Sequence, residues 1–267
     1  MIMRKTISKI LVLCVLFGGL AAAQQFDSQA EQQLVQMLNQ ERARAGLRSL
    51  KVDDRLTQAA RAHASLMAQA KRLSHQLPGE PALPKRLAAT NLRFNYDAEN
   101  VARNDSAQGA HDGLMHSPPH RANILSPKYN AVGVGVVRSG RGLWVTEVFA
   151  HRLEEYSRDE AENTIIAAFE RERRRATGSP APVVRLPQLR RMACAMAKQG
   201  QVDTRAPLNL PDVQSSVAYT ESDPRKLPPN AVMMARDPNL KRFAIGACFA
   251  DSESYPSGTW WVVIVFF

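Results

Sequence analysis

The chain repeats itself, and a repeat constrains a fold more than any other feature of a sequence. Glu41-Arg-Ala-Arg-Ala45 returns as Glu172-Arg-Arg-Arg-Ala176, and Leu56-Thr-Gln-Ala-Ala-Arg61 returns as Leu186-Pro-Gln-Leu-Arg-Arg191. Near the end of each stretch, Trp144-Val-Thr-Glu-Val-Phe149 is matched by Trp261-Val-Val-Ile-Val-Phe266. The copies lie 131, 130 and then 117 positions apart, so their order is kept and the second has lost residues from its middle. This reads as an internal duplication. Its boundary falls in the short charged stretch from His151 to Tyr156.

Local patterns give each copy the same opening and closing. Ser28 with Glu31 reads as a capping box, followed by Leu34, Val35 and Leu38 on one helical face and Gly46 as a stop. Asp53 or Asp54 caps a second helix carrying Leu56, Ala59, Ala60, Leu66 and Met67. Pro78, Gly79, Pro81 and Pro84 make a loop, and a short helix leads into Pro118-Pro119. Val132–Val137 and Leu143–Phe149 are apolar runs joined across Ser139-Gly-Arg-Gly142, which predicts a hairpin. The second copy opens on a capping box of Ser157 and Glu160 and closes on apolar runs over 243–249 and 260–267. The class implied is α+β: helices flanking a small antiparallel sheet, twice.

Composition narrows the function classes. A 45% hydrophobic content supplies cores and excludes disorder as the main state. No apolar run reaches the roughly 20 residues that span a bilayer. The longest, Ile10–Ala22, follows Arg4, Lys5 and Lys9 and ends at Ala21-Ala22-Ala23, the pattern of a secretory signal peptide over residues 1–23. The expected destination is extracellular or periplasmic, with no transmembrane segment once the signal is removed. Cleavage after Ala23 takes three basic residues and lowers the formal charge from +10 to +7. That balance favours anionic surfaces such as lipid headgroups or acidic cell-wall polymers. It does not indicate nucleic acid, because the densest cluster, Arg171–Arg175, contains Glu172 and no interleaved aromatics. Cys194 and Cys248 remain in the exported chain; a disulfide and two buried thiols both fit an even pair.

All 6 histidines lie before residue 152, so whatever imidazole chemistry the first copy performs the second cannot repeat. Three polar features of the first copy resist a purely structural account. Ser74-His75 stands beyond the second helix, Ala98-Glu99-Asn100 follows Tyr96-Asp97 in a non-helical stretch, and His120 follows a rigid diproline in Ser117-Pro-Pro-His120-Arg-Ala-Asn123. Two neutral imidazoles and one carboxylate are enough first ligands for zinc with an open fourth position, and such a centre could activate water. The same trio could equally bind a metal weakly, or none, and orient a ligand. Nothing matches a nucleophile elbow, a phosphate loop or a His-Glu-x-x-His helix.

Together with Asn39-Gln-Glu-Arg42, Val132-Gly-Val-Gly135 and Thr146-Glu-Val-Phe149, these motifs resemble a bacterial CAP domain over roughly residues 28–151. That superfamily takes in the cysteine-rich secretory proteins, antigen 5 and the plant pathogenesis-related proteins. The resemblance implies an α-β-α sandwich with a solvent-filled cleft, lined by a tetrad of two His and two Glu that in some members holds a divalent metal. By motif, His75 and His120 are the histidines and Glu99 the first glutamate, so these three are the implied ligands of zinc or another divalent ion. Ala98 is usually glycine, and Ser117 stands where the second glutamate would be. Glu147 replaces a more usual glutamine and could supply a carboxylate to the cleft, although a strand glutamate is more often simply solvated; His116 is expected to be exposed. Asn39 and Arg42 are expected to hydrogen bond within the fold. The domains implied are 24–151 for the CAP domain and 155–267 for a degenerate CAP-like copy. The function implied is a secreted, cleft-bearing binding module for a lipid, cell-wall polymer or protein, with a metal-dependent hydrolase as the alternative.

Overall fold

The computed structural model describes residues 25–267, so the signal peptide expected over residues 1–23 lies outside the described residues. Two sheets organise the chain. The first has four strands in the order β1-β3-β4-β2: β1 (Lys51–Val52), β2 (Phe94–Asn104), β3 (Ala131–Ser139) and β4 (Gly142–Arg152). The β3–β4 hairpin turns on Gly140-Arg141. The sheet is not purely antiparallel as expected: β1 pairs parallel with β3 because the chain reaches it from α1 (Ser28–Arg44) across the sheet's end.

Helices cover both faces. Side chains of α1, α4 (Ala107–His116) and α5 (Pro118–Ile124) pack on Val132, Val134, Val136, Leu143, Val145 and Phe149. The opposite face carries α2 (Asp54–Ala70) and α3 (Leu83–Ala88), against Ala131, Val137, Trp144, Val148 and Ala150. Asp53 caps α2 by accepting from the Arg55 amide. α1 is not capped by Ser28: its cap is Asp27, and Glu31 is withdrawn into the core, where Arg61 grips it and the Val136 amide donates to it. A capping box needs a free carboxylate at its third position; here the half-buried Arg61 guanidinium outcompetes the N-cap amide for it. Asn39 exchanges two hydrogen bonds with Leu50, and Arg42, 2% exposed, donates to the carbonyls of Arg48, Ile124 and Ser126.

The second sheet has the order β5-β7-β6, with β5 (Ser215–Glu221), β6 (Phe243–Ala250) and β7 (Thr259–Phe266) all antiparallel. α6 (Arg158–Thr177) and α8 (Pro229–Arg236) cover one face and α7 (Pro187–Gln199) the other. The Ser157–Glu160 capping box forms as expected. Here Glu162 is gripped by Arg190 and accepts from the Ala247 amide, and Arg173 donates to the carbonyls of Ala235, Asp237 and Leu240. α2 and α7 each rest directly on a strand glycine: a Cβ on Gly135 would meet the Ala60–Arg61 backbone, and one on Gly246 the Leu189–Arg190 backbone. Of the two alternatives for the cysteines the disulfide holds, joining Cys194 on α7 to Cys248 on β6 with Cα atoms 5.1 Å apart.

Candidate functional site

β2 is one of the two outer strands of the first sheet, and the candidate residues meet across its free edge. Alternation along β2 turns Glu99 and Val101 toward the α2 side and Asn100 toward the α5 side. His75 sits in the loop after α2, which the left-handed Lys71 redirects. His120 enters from α5, whose first two positions are the diproline, the place where missing amides cost a helix least. The two imidazoles face each other with ring centroids 6.1 Å apart. His75 Nδ1 lies 3.2 Å from Glu99 Oε1, and the His75 side chain is 58% exposed while that of Glu99 is 3%. Ser117 forms the junction between α4 and α5, and its side chain caps neither. His116 is exposed on α4, donating to or accepting from nothing in the cleft; its ring meets the Asp112 carbonyl. Burial pulls the His120 pKa down, and the neighbouring His75 adds to the effect.

Beneath this pair lies a buried ion network that sequence reading missed. His63, fully buried on α2, places Nδ1 2.7 Å from Glu80 and Nε2 2.9 Å from the Ser74 carbonyl. Satisfying both contacts takes two ring N–H donors or a proton on Glu80. Arg86 of α3 lies 2.9 Å from Glu99 Oε2 and 3.5 Å from Glu80, and it also donates to the His75 carbonyl. Glu80 Oε2 accepts from the Leu77 amide and so pins the proline-rich loop over the helix. The one available signal was His63 itself, a polar residue on the same α2 face as Ala59, Ala60 and Met67.

The network bears on metal binding. Glu99 has Arg86 on one oxygen and His75 on the other. As arranged, the trio does not fit a zinc centre, because its only carboxylate is already ion-paired with Arg86, a fixed cation. Among the described residues, no group of three or more His, Cys, Asp or Glu side chains is placed to hold a metal ion. Ser74 Oγ donates to the Gln76 carbonyl rather than to an imidazole, so Ser74 and His75 are not a nucleophile–base pair.

On the α5 side, Glu147 is not solvated. It is 0% exposed, because positions 143, 145, 147 and 149 of β4 all face the helices. Its Oε2 accepts from Asn100 Nδ2 at 3.1 Å, and burial pushes its pKa up to about 7 against the pull of that hydrogen bond. Asn100 Nδ2 also donates to the His120 carbonyl, and Asn123 donates to Asn100 Oδ1.

Residues 35–149, the stretch holding every one of these groups, match the family model described as CAP, the cysteine-rich secretory protein family. Over that stretch the chain is similar to CAP domains. Over 118 residues it is 30% identical to the uncharacterized protein YkwD of Bacillus subtilis (strain 168), an overlap of 44% of this chain and 46% of that one. The chain spans less than half the length of the curated relatives it matches. Among solved structures, an extracellular protein containing a SCP domain from Bacillus anthracis is 27% identical, with a TM-score of 0.43, over 46% of this chain and 40% of that one. The crystal structure of Na-ASP-1 is 9% identical with a TM-score of 0.49, over 93% of this chain and 91% of that one. No helix among the described residues is long and apolar enough to cross a membrane.

Proposed function

We propose that this CAP-domain protein is an exported binding module whose cleft recognises an envelope component (a lipid, a cell-wall polymer or a protein) through His75 and His120. The observation that carries this reading is the neutralisation of Glu99 by Arg86 from below. It leaves two adjacent imidazoles over a charge-balanced floor, a surface built to donate and accept hydrogen bonds rather than to activate water. The Cys194–Cys248 disulfide supports export, since such bonds persist in oxidising compartments. The basic leader ending at Ala21-Ala22-Ala23 supports it too, with a mature N-terminus near Gln24.

The same reading takes 24–151 as the binding domain and 155–267 as a degenerate copy of it. Three paired features support the duplication. The Glu31–Arg61–Val136 grip has its counterpart in Glu162–Arg190–Ala247. The Arg42 clamp on carbonyls has its counterpart in Arg173. The hairpin register pairs Val136 with Val145, one residue after Trp144, and Ala247 with Val262, one residue after Trp261. Lacking histidine, the second copy would serve as a packing half or partner surface.

The test uses the mature chain with purified cell-wall polymer in sedimentation and anionic phospholipid vesicles in flotation. Binding that His75→Ala or His120→Ala abolishes and His116→Ala spares is the expected result. Zinc titrated by calorimetry, with peptide and peptidoglycan hydrolysis assayed with and without it, separates the alternative: zinc-dependent turnover lost in His75→Ala would replace this reading with the hydrolase.

A further inference from the structure

We propose that the seam between the two halves is a second binding site, a pocket of about 550 Å³ that takes a primary alkylammonium group. Neither His75, Glu99 nor His120 lines it, so it goes beyond the reading of the cleft. One wall is the start of β2, with Phe94, Asn95 and Asp97; the other is the end of β5 and the loop from β6 to β7. The walls are tied together across the seam. Asn95 Nδ2 donates to Ser222 Oγ at 3.3 Å, and Ser257 Oγ donates to the Phe94 carbonyl at 2.8 Å. The Arg93 guanidinium lies 3.9 Å from the centre of the Phe249 ring. The register slip of β2 between Phe94 and Asp97 falls at this point. An interrupted ladder re-aims side chains, and here it frees Asn95 to reach the second half.

What the pocket offers is hydrogen-bond acceptors. Asn95 Oδ1 is buried without a hydrogen-bond partner, and a buried carbonyl left so is costly unless a donor comes to it. Among the described residues nothing hydrogen bonds to the Asp97 carboxylate; Arg86 acts on it only from a distance and is committed to Glu99 and Glu80. Glu221 uses Oε1 to accept from the amides of Ser222 and Asp223 and leaves Oε2 open. Thr259 lines the pocket, is 2% exposed, and makes no side-chain hydrogen bond among the described residues. By alternation it shares the β7 face of Trp261, against whose ring Tyr255 stands edge-on.

Asp97, Glu221 and Glu253 line the pocket and no Lys, Arg or His does, in a chain with 35 basic and 25 acidic residues. Such a site selects a cation. A metal ion fits it poorly, because among the described residues no three acids stand close enough together to hold one. The acceptors are instead spread over both walls, which suits an organic cation carrying its N–H donors on a chain. An ammonium is a donor three times over and accepts nothing. Phe94, Pro84, Pro256 and the half-exposed Tyr255 give its alkyl stem an apolar path between the acids. The volume is that of a small-molecule site. Half of the wall comes from the histidine-free second half, which thus contributes to binding without an imidazole.

The experiment titrates cadaverine into the full mature chain by calorimetry at neutral pH and maps the contact by amide NMR. A dissociation constant of about 0.1–1 mM is expected, with shifts confined to 94–97, 220–222 and 253–259. Pentanediol, the same stem with hydroxyls in place of the ammonium groups, should bind about tenfold more weakly. Asp97→Asn and Glu221→Gln keep the shape and remove the charge, and each should weaken cadaverine about tenfold. Glu253→Lys, at an exposed rim position, should weaken it too; should either of the other variants not fold, this one decides. Nα-acetyl-lysine amide separates the sources of the group: tighter binding than cadaverine assigns the pocket to lysine-type side chains, weaker binding to free diamines. His75→Ala/His120→Ala should leave cadaverine affinity unchanged, so failure of the cleft reading and failure of this one are told apart. Weakening in that variant would place the amine in the cleft and overturn the proposal. So would silence at millimolar cadaverine, equal affinity for pentanediol, or unchanged affinity in the folded acid variants.

Discussion

Removing the Cys194–Cys248 bridge should destabilise the second half by an amount its sequence separation sets. The bridge closes a loop of 54 residues. In the chain-entropy account, a loop of that size withholds about 14 cal/mol/K from the unfolded chain, or about 4 kcal/mol at 25 °C. Cys194 is on α7 and Cys248 on β6, and that helix and strand already pack together through Leu189, Ala193 and Ala244, so the folded state gains little new contact from the bond. The assay is urea unfolding of Cys194→Ala/Cys248→Ala in a Trp144→Phe background. There the fluorescence comes from Trp260 and Trp261, each 2% exposed in the second half. With a slope of about 2 kcal/mol/M, the midpoint should fall by about 2 M. A loss below about 1 kcal/mol would refute the reasoning, since it would mean the unfolded chain gains no freedom when the bridge is absent.

Three further outcomes are expected. Glu147 holds its proton more tightly folded, near pH 7, than unfolded, near its ordinary 4.5, so its contribution is complete below about 4.5 and is lost as pH rises through 7. Wild type should therefore lose about 3 kcal/mol relative to Glu147→Gln over that window in urea titrations; parallel stability curves would contradict this. Glu80→Ala removes the carboxylate 2.7 Å from the fully buried His63, leaving Glu99 as the anion it shares with Arg86, and should cost about 3 kcal/mol by thermal unfolding, with Gln76→Ala as an exposed neighbouring control. Gly135→Ala and Gly246→Ala should each cost about 1–3 kcal/mol, because α2 or α7 must lift off its strand; a Tm within 1 °C of wild type would show that the helices have room to move.

The parts of the site that could be read from the sequence are those carried by short motifs. His75, Glu99 and His120 stand in segments whose spacing to proline, strand and helix is local, and the structure brings the three together. Glu80 and Arg86 could not be read that way. Each is an ordinary charged residue in a loop or short helix, and its role arises only when the loop closes on His63. The Ser28–Glu31 capping box failed for the same reason, since Arg61, 30 residues away, claims the carboxylate. Glu147 was legible after all. It shares the parity of Leu143, Val145 and Phe149, and weighting that alternation above the usual solvation of glutamate would have buried it. The matched motifs supplied a second signal, because Ile264 of Trp261-Val-Val-Ile-Val-Phe266 stands at the position of Glu147 in Trp144-Val-Thr-Glu-Val-Phe149.

β2 and β5 have a consequence for self-association. Both are outer strands, and an outer strand offers a row of amides and carbonyls on which another chain can build. On β2 the register slips between Phe94 and Asp97, and the edge is crowded by His75, His120 and the buried ions beneath them. The groups that make the cleft polar thus also make that edge a poor template. A ligand seated there and an invading strand would contend for the same line of backbone. Concentration-dependent light scattering of the His75→Ala/His120→Ala chain should rise above wild type, and occupancy of the cleft should suppress it.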